Sequence, residues 1–385
     1  MLAPVLAVAT LAAGAAATSS ITAAPSPSQV ARAYGKRAES ALPLTEYTYS
    51  YGSQPYQVNP YASGRGPQSG YNICNSTTSG ADSQCQTLVA NNASDFCLWG
   101  SPTTNGSGLI GDVEAAVVAY CTNDQHGARV IPEGSITGLQ VLRTSGYIEW
   151  LGHINLTALN LMANDTGGEL DPHGADLAGN PLGGLVYGTN LPSGDNTTYK
   201  QAIEWNNFVG SGVFCLKLCD PTVTSPNYCE NKYDLVGCSY NMPGAYEDGV
   251  FLDCDADLQE VVGTYTGTDG KTTTWSQPAS LAADYTMPWT PTIPASSNCK
   301  TYQSTDLFPV SLLGYQSSAA ASATTTSSGS ASATGSAAST RSTGTSGASS
   351  TASAAQSTSS TTSGATTLIA SSGFLGLLAI FAVFA

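Results

Sequence analysis

The sequence predicts a mostly β protein. The expected architecture is a single disulfide-rich antiparallel β-sandwich or barrel-like ectodomain, followed by a disordered Ser/Thr-rich C-terminal stalk. Three observations predict it. Ten cysteines, an even number, stand in a chain of 385 residues with only three histidines, which fits five disulfides in an oxidising compartment. Five of the ten lie between Val213 and Cys254. There, Phe214, Leu216 and Leu218 alternate with Cys215, Lys217 and Cys219, the period of a strand with one apolar face and thiols on the other. Most other apolar runs are also short, alternating and punctuated by glycine, with few segments of helical period.

In chain order, residues 1–17 are apolar and end in Ala15-Ala16-Ala17, which fits a secretory signal peptide. Residues 18–37 read as a propeptide ending at the dibasic Lys36-Arg37. Residues 38–73 form a Tyr/Pro-rich arm. Its rings could offer a stacking surface for sugars, as could Trp289, but the simpler expectation is an extended arm that packs its tyrosines on the domain behind it. The folded domain is expected over 74–315.

Within that domain, Asp112 to Cys121 could open as a helix capped by Asp112, although Val117 and Val118 also allow a strand. Ile136–Thr144 and Tyr147–Asn155, joined by Ser145-Gly146, predict a hairpin. Residues 170–187 carry enough Gly, Pro and Asp to read as loop. Tyr199–Val209 reads as one alternating strand. Gly210-Ser211-Gly212 turns it into the central strand. Leu235-Val236 and Val250–Leu252 read as two further short strands, and Trp275–Cys299 as an extended segment tied down by Cys299.

Residues 316–363 are almost wholly Ser, Thr, Ala and Gly, which cannot bury enough apolar surface to offset chain entropy. They read as an O-glycosylated stalk. Residues 364–385 end in the apolar run Phe374–Ala385. Small residues at Ser363-Gly364-Ala365, a spacer and that tail match a glycosylphosphatidylinositol (GPI) signal with attachment at Ser363. The chain would then sit outside the cell, on the outer leaflet or in the wall, with the GPI lipid as one partner.

Formal net charge is −15, and loss of Arg32, Lys36 and Arg37 with the propeptide would make it more negative. Such a chain repels nucleic acid and anionic headgroups. No cofactor and no metal are expected. Cys215 and Cys219 have the wrong spacing for a zinc knuckle, and Asp253, Asp255 and Asp257 open like a calcium loop that then lacks its Gly and Glu. Six sequons, at Asn75, Asn92, Asn105, Asn155, Asn164 and Asn196, predict an N-glycosylated surface.

The sequence assigns no catalytic residue. Nucleophile-elbow, zincin and phosphate-loop motifs are absent from the folded part. His153 reads as a half-buried strand residue. His173, in Asp-Pro-His-Gly with Glu169, Asp171 and Asp176 nearby, is the best enzymatic candidate and also ordinary turn chemistry. Glu149 and Glu204 could pair as glycosidase carboxyls, but alternation places both on solvent-facing sides of apolar strands. All ten cysteines are expected to pair: Cys74, Cys85, Cys97, Cys121, Cys215, Cys219, Cys229, Cys238, Cys254 and Cys299. Four residues along one strand put Cys215 and Cys219 about 13 Å apart, too far to bridge each other. Their partners are therefore expected downstream, with Cys229 and Cys238 as candidates.

Several blocks resemble a fungal surface-protein family. They are C-L-W-G at 97–100, I-P-E-G-S-I-T-G at 131–138, F-C-L-K-L-C at 214–219, Y-D-L-V-G-C at 233–238, Y-N-M-P-G-A at 240–245 and I-P-A-S-S-N-C at 293–299. The family is the macrophage-activating glycoproteins, akin to the immunoreactive mannoproteins. The resemblance implies a mannosylated, GPI-anchored surface or wall glycoprotein with a structural or recognition role, whose glycans could meet a host lectin or cell-wall polysaccharide. It implies no catalytic residues. The alternative is a secreted glycan-binding module or a glycoside-hydrolase-like enzyme.

Overall fold

The computed structural model describes residues 42–60, 65–282 and 284–308. The signal, propeptide and stalk calls, and Ser363 with its tail, lie outside the described residues. Among the described residues, fifteen strands form two large sheets and a small hairpin. They are β1 (Thr87–Asn92), β2 (Asp95–Gly100), β3 (Val118–Cys121), β4 (Arg129–Val130), β5 (Ile136–Arg143), β6 (Tyr147–Ile154), β7 (Gly168–Leu170), β8 (Leu185–Gly188), β9 (Lys200–Ala202), β10 (Trp205–Gly210), β11 (Val213–Cys219), β12 (Phe251–Ala256), β13 (Thr264–Thr266), β14 (Thr272–Thr274) and β15 (Ser296–Thr301). The six-stranded sheet runs β4-β3-β2-β1-β8-β9 and the seven-stranded sheet β15-β12-β5-β6-β11-β10-β7. The predicted mostly β, disulfide-rich class is what the structure shows.

The two sheets meet across an aromatic core. Phe96 on β2 stacks against Trp150 on β6 and Phe214 on β11, with ring centroids 6.3 and 6.1 Å away. Trp99 on β2 meets Trp205 on β10 at 5.9 Å. Phe214, Leu216 and Leu218 are all fully buried on this face. Each contributes roughly 1.5–3 kcal/mol by leaving water. Gly152 on β6 is required where it stands. A Cβ there would meet the Gly138 carbonyl oxygen at 2.2 Å and the Phe214 ring at 2.8 Å.

The central strand β11 pairs on one side with β6 and on the other with β10, antiparallel to both. Ser211 and Gly212 both have positive φ, 52° and 78°, which suits the tight two-residue turn joining β10 to β11. The outward side of β11, read above as a thiol face, is also buried: Cys215, Lys217 and Cys219 lie under a cover formed by residues 229–262. Two disulfides tie the cover down, Cys215–Cys238 and Cys219–Cys229. The remaining pairs are Cys74–Cys85, Cys97–Cys121 and Cys254–Cys299. No cysteine is free, and Cys215 and Cys219 reach different partners, as strand geometry required.

Several local expectations are corrected. Pairing is mostly antiparallel, but β1 with β8, β3 with β4, and β5 with β12 are parallel. The stretch from Asp112 is helix only over Ile110–Val113 and becomes strand at Val118, where β-branched side chains crowd a helix. Leu235-Val236 lies in a 3-10 turn, Asp234–Val236, not a strand. Tyr199–Val209 is two strands: β9 belongs to the six-stranded sheet and β10 to the seven-stranded one. Residues 170–187 are loop between two strand ends, β7 and β8.

The tyrosine arm packs as the simpler expectation had it. Tyr51 stacks on Tyr199 at 4.2 Å and meets Tyr187 edge-on at 5.1 Å. The side-chain amide of Gln201, on the edge strand β9, accepts from Tyr49 N at 2.7 Å and donates to Tyr47 O at 3.0 Å, which ties the arm to that strand. No helix among the described residues is long and apolar enough to cross a membrane.

Candidate functional site: an acidic cleft beside the edge strand

A cavity of about 1040 Å³ opens beside β7 at the edge of the seven-stranded sheet. Strand β7 and the loop after it supply Glu169, Asp171 and Gly174. Strand β10 supplies Phe208 and Val209. The 3-10 turn supplies Asp234, and Glu114 and Tyr246 complete the wall. Cys238, bonded to Cys215, fixes the turn and its following helix against the sheet.

Four carboxyls therefore face one cleft. Glu169 is buried, and its Oε1 accepts a hydrogen bond from Asn206 Nδ2 at 2.6 Å. Burial pushes its carboxyl well above the usual carboxylate range, and the nearby Asp171 pushes it further. Burial also raises Asp171, against two backbone N–H donors, His173 N at 2.7 Å and Gly174 N at 3.0 Å. Glu114 is raised by burial and lowered by Arg65, 3.9 Å away. A wall of carboxyls disfavours anionic ligands and offers hydrogen-bonding groups to a neutral polyhydroxyl ligand.

His173 does not enter the cleft wall. Its Nε2 lies 2.8 Å from Glu204 Oε2, and this hydrogen bond, opposed by burial, raises the imidazole pKa. Arg65 clamps the same loop through Asp176, Asn180 and Gly179 O. Of the residues that the sequence placed near His173, Glu169 and Asp171 reach the cleft, while Asp176 serves the clamp.

The Glu149–Glu204 pair is overturned. Glu149 is fully buried under the cover, 3.3 Å from Lys217 Nζ, and Glu204 is occupied by His173. Alternation gave Glu149 the outward side of β6 correctly but could not reveal that this side is roofed. His153 is half-buried and bonds Asp248 at 2.9 Å through Nδ1. Asp253 is held by Arg143 through two 2.9 Å bonds, so the calcium-loop reading has lost its first carboxylate.

None of the six sequon asparagines is buried: Asn92, Asn105, Asn155, Asn164 and Asn196 are exposed and Asn75 is half-buried. In four of them the Asn Oδ1 accepts from the hydroxyl two residues on, Thr77 at 2.7 Å, Ser94 at 2.9 Å, Ser107 at 2.7 Å and Thr157 at 2.8 Å. The oxygen makes the local turn, so the nitrogen that would carry a glycan is not needed for it.

Glu169 makes the stability of the fold depend on pH. Above about pH 4.5, its ordinary value, the unfolded chain has released a proton that the folded state still holds. Stability from this group is therefore greatest in acid and falls as pH rises. Glu169→Gln is expected to raise the melting temperature at pH 7.5 and leave it nearly unchanged at pH 4. Thermal melts of both proteins across that range check it; equal shifts at both pH values would contradict the assignment.

No family model and no solved structure matches the chain. Two curated relatives do, both from Mycosarcoma maydis. Appressorium protein ROW1 is 42% identical over 229 residues, covering 57% of this chain and 53% of ROW1, so this chain spans about half of that relative's length. Appressorium protein ROW2 is 37% identical over 247 residues, covering 62% of this chain and 79% of ROW2. The chain belongs to the family of fungal appressorium proteins that includes ROW1 and ROW2.

Proposed function

We propose that the chain is an exported fungal surface glycoprotein of the mannoprotein kind, with a structural or recognition role at the cell surface or wall. It is N-glycosylated on the folded domain, O-glycosylated over 316–363 and held by a GPI lipid attached at Ser363. Its partners would be cell-wall polysaccharide, or a host lectin that meets its glycans. One observation carries this reading: all ten cysteines are bonded while every sequon asparagine lies off the core. The appressorium relatives support a role at the fungal surface.

Phosphatidylinositol-specific phospholipase applied to membranes, or glucanase applied to walls, is expected to release the protein without Phe374–Ala385. Recovery only in a detergent-extracted form that keeps this tail would count against the anchor.

The cleft favours a second reading. A buried carboxyl with a raised pKa, lining an open cleft, is what a glycosidase needs as general acid. In this reading Glu169 protonates the leaving oxygen of a bound glycan. Sugar release from a polysaccharide panel that is lost in Glu169→Gln would support it; unchanged release, or none from any polysaccharide, would not.

A further inference from the structure

Three successive outward positions on β11 hold Cys215, Lys217 and Cys219. The first and third are already bonded covalently to the cover. Lys217, between them, is fully buried. Its Nζ donates to Gln259 Oε1 at 2.6 Å and to the Asn241 carbonyl at 3.0 Å. The Tyr147 ring centroid lies 4.5 Å away. Glu149, directly opposite on β6, approaches the same Nζ at 3.3 Å through Oε2. That approach is an ion-pair contact only, since neither Glu149 oxygen has a hydrogen-bond partner. Gln259 is buried as well. An amine, an amide carbonyl and a carboxyl thus converge at one buried site.

We propose that Lys217 and Gln259 become joined by an intramolecular isopeptide bond, formed by the protein itself with Glu149 as the proton-transfer group. The Nζ lone pair attacks Gln259 Cδ, one bond from the oxygen that Nζ already touches. The Nζ–Cδ bond forms, the Cδ–Nε2 bond breaks, and Nε2 leaves as ammonia. Glu149 gives a proton to the departing nitrogen and takes back the one lost by the attacking nitrogen, so it ends as it began. Gln259 Nε2 donates at 3.0 Å to the same Asn241 carbonyl that Nζ bonds, so one oxygen orients both the attacking amine and the amide before reaction. No oxidation or reduction is involved.

The electrostatics favour the reactive forms. Burial lowers the Lys217 pKa, toward the neutral amine that can attack, with Glu149 opposing. Burial raises the Glu149 pKa, toward the acid that can give a proton, with Lys217 opposing. The product amide removes the charge of Lys217 from the interior, where an ion is costly. It would also make the cover's attachment to β11 a triple covalent seam, with one link that survives reduction.

The test is a peptide map of the secreted full-length protein after reduction, denaturation and tryptic digestion. The expected result is a branched peptide joining the Lys217 and Gln259 segments, lighter by one ammonia than their sum and uncut after Lys217. Separate, unmodified peptides would overturn the proposal. Glu149→Gln protein that retains its disulfides is expected to give the separate peptides, and an undiminished link there would overturn the role of Glu149. Should that variant fail to be secreted, the parent chain recovered unfolded from inclusion bodies serves as comparison. It is expected to lack the link before refolding and acquire it afterwards; a link already present in the unfolded chain would overturn self-catalysis in the folded pocket.

Discussion

Cys215→Ser is expected to cost about 3 kcal/mol of stability and to cut the secreted yield sharply. Cys215 closes a loop of sequence separation 23 to Cys238, and the bond holds the cover onto the central strand. Its loss would also leave Cys238 as an unpaired thiol in an oxidising compartment, open to mispairing. His173→Ala makes the useful contrast. The His173–Glu204 contact is only half-buried, and pairs of that kind contribute about 0–1 kcal/mol. Secretion and urea unfolding of the two variants, measured side by side, should rank Cys215→Ser far below His173→Ala. Equal yields would mean that the cover does not depend on this bridge.

Measured against parent chain in which Lys217 is still a free amine, Lys217→Met should cost about 3–5 kcal/mol, because it leaves Glu149 buried with no cation. The loss is expected to grow with pH. Without Lys217, which lowers the Glu149 pKa, the carboxyl is raised further by burial alone. Its folded form then holds a proton that the unfolded chain releases above about pH 4.5, so stability falls as pH climbs through that window. Changing Glu149 to Gln in the same protein should recover the pH-dependent part. Urea midpoints at pH 4.5 and 7.5 for the single and double variants give the readout. A single variant that unfolds like the parent at pH 7.5 would show that Glu149 is not confined as the structure places it.

The central strand was legible because period two has one solution for its apolar face. Phe214, Leu216 and Leu218 must point inward together, and that places Cys215 and Cys219 on the other side, too far apart to bridge. The same alternation misleads about Glu149 and Lys217. It distinguishes two faces but cannot say that the second is roofed, and the roof comes from residues 229–262, remote from β6 in sequence. Lys217 was not singled out, yet a lysine between two outward cysteines was the available signal, since bridged neighbours already imply a cover. The β1–β2 hairpin escaped notice for a related reason. Nearly all of Thr87–Asn92 and Asp95–Gly100 is buried or close to it on both faces, and strands covered on both faces read as continuous apolar runs without alternation. The cleft was half legible: Glu169 and Asp171 stood near His173 in sequence, whereas Glu114 and Asp234 join them only through the fold.

The most direct test of the surface-glycoprotein account is a site-by-site glycan map of the protein collected from outside the cell. Enzymatic removal of N-glycans in water labelled with heavy oxygen marks each formerly glycosylated asparagine. The account predicts labelled residues at the exposed sequons, Asn92, Asn105 and Asn155 foremost. Extracellular protein with all six asparagines unlabelled, or protein found only inside the cell, would contradict it.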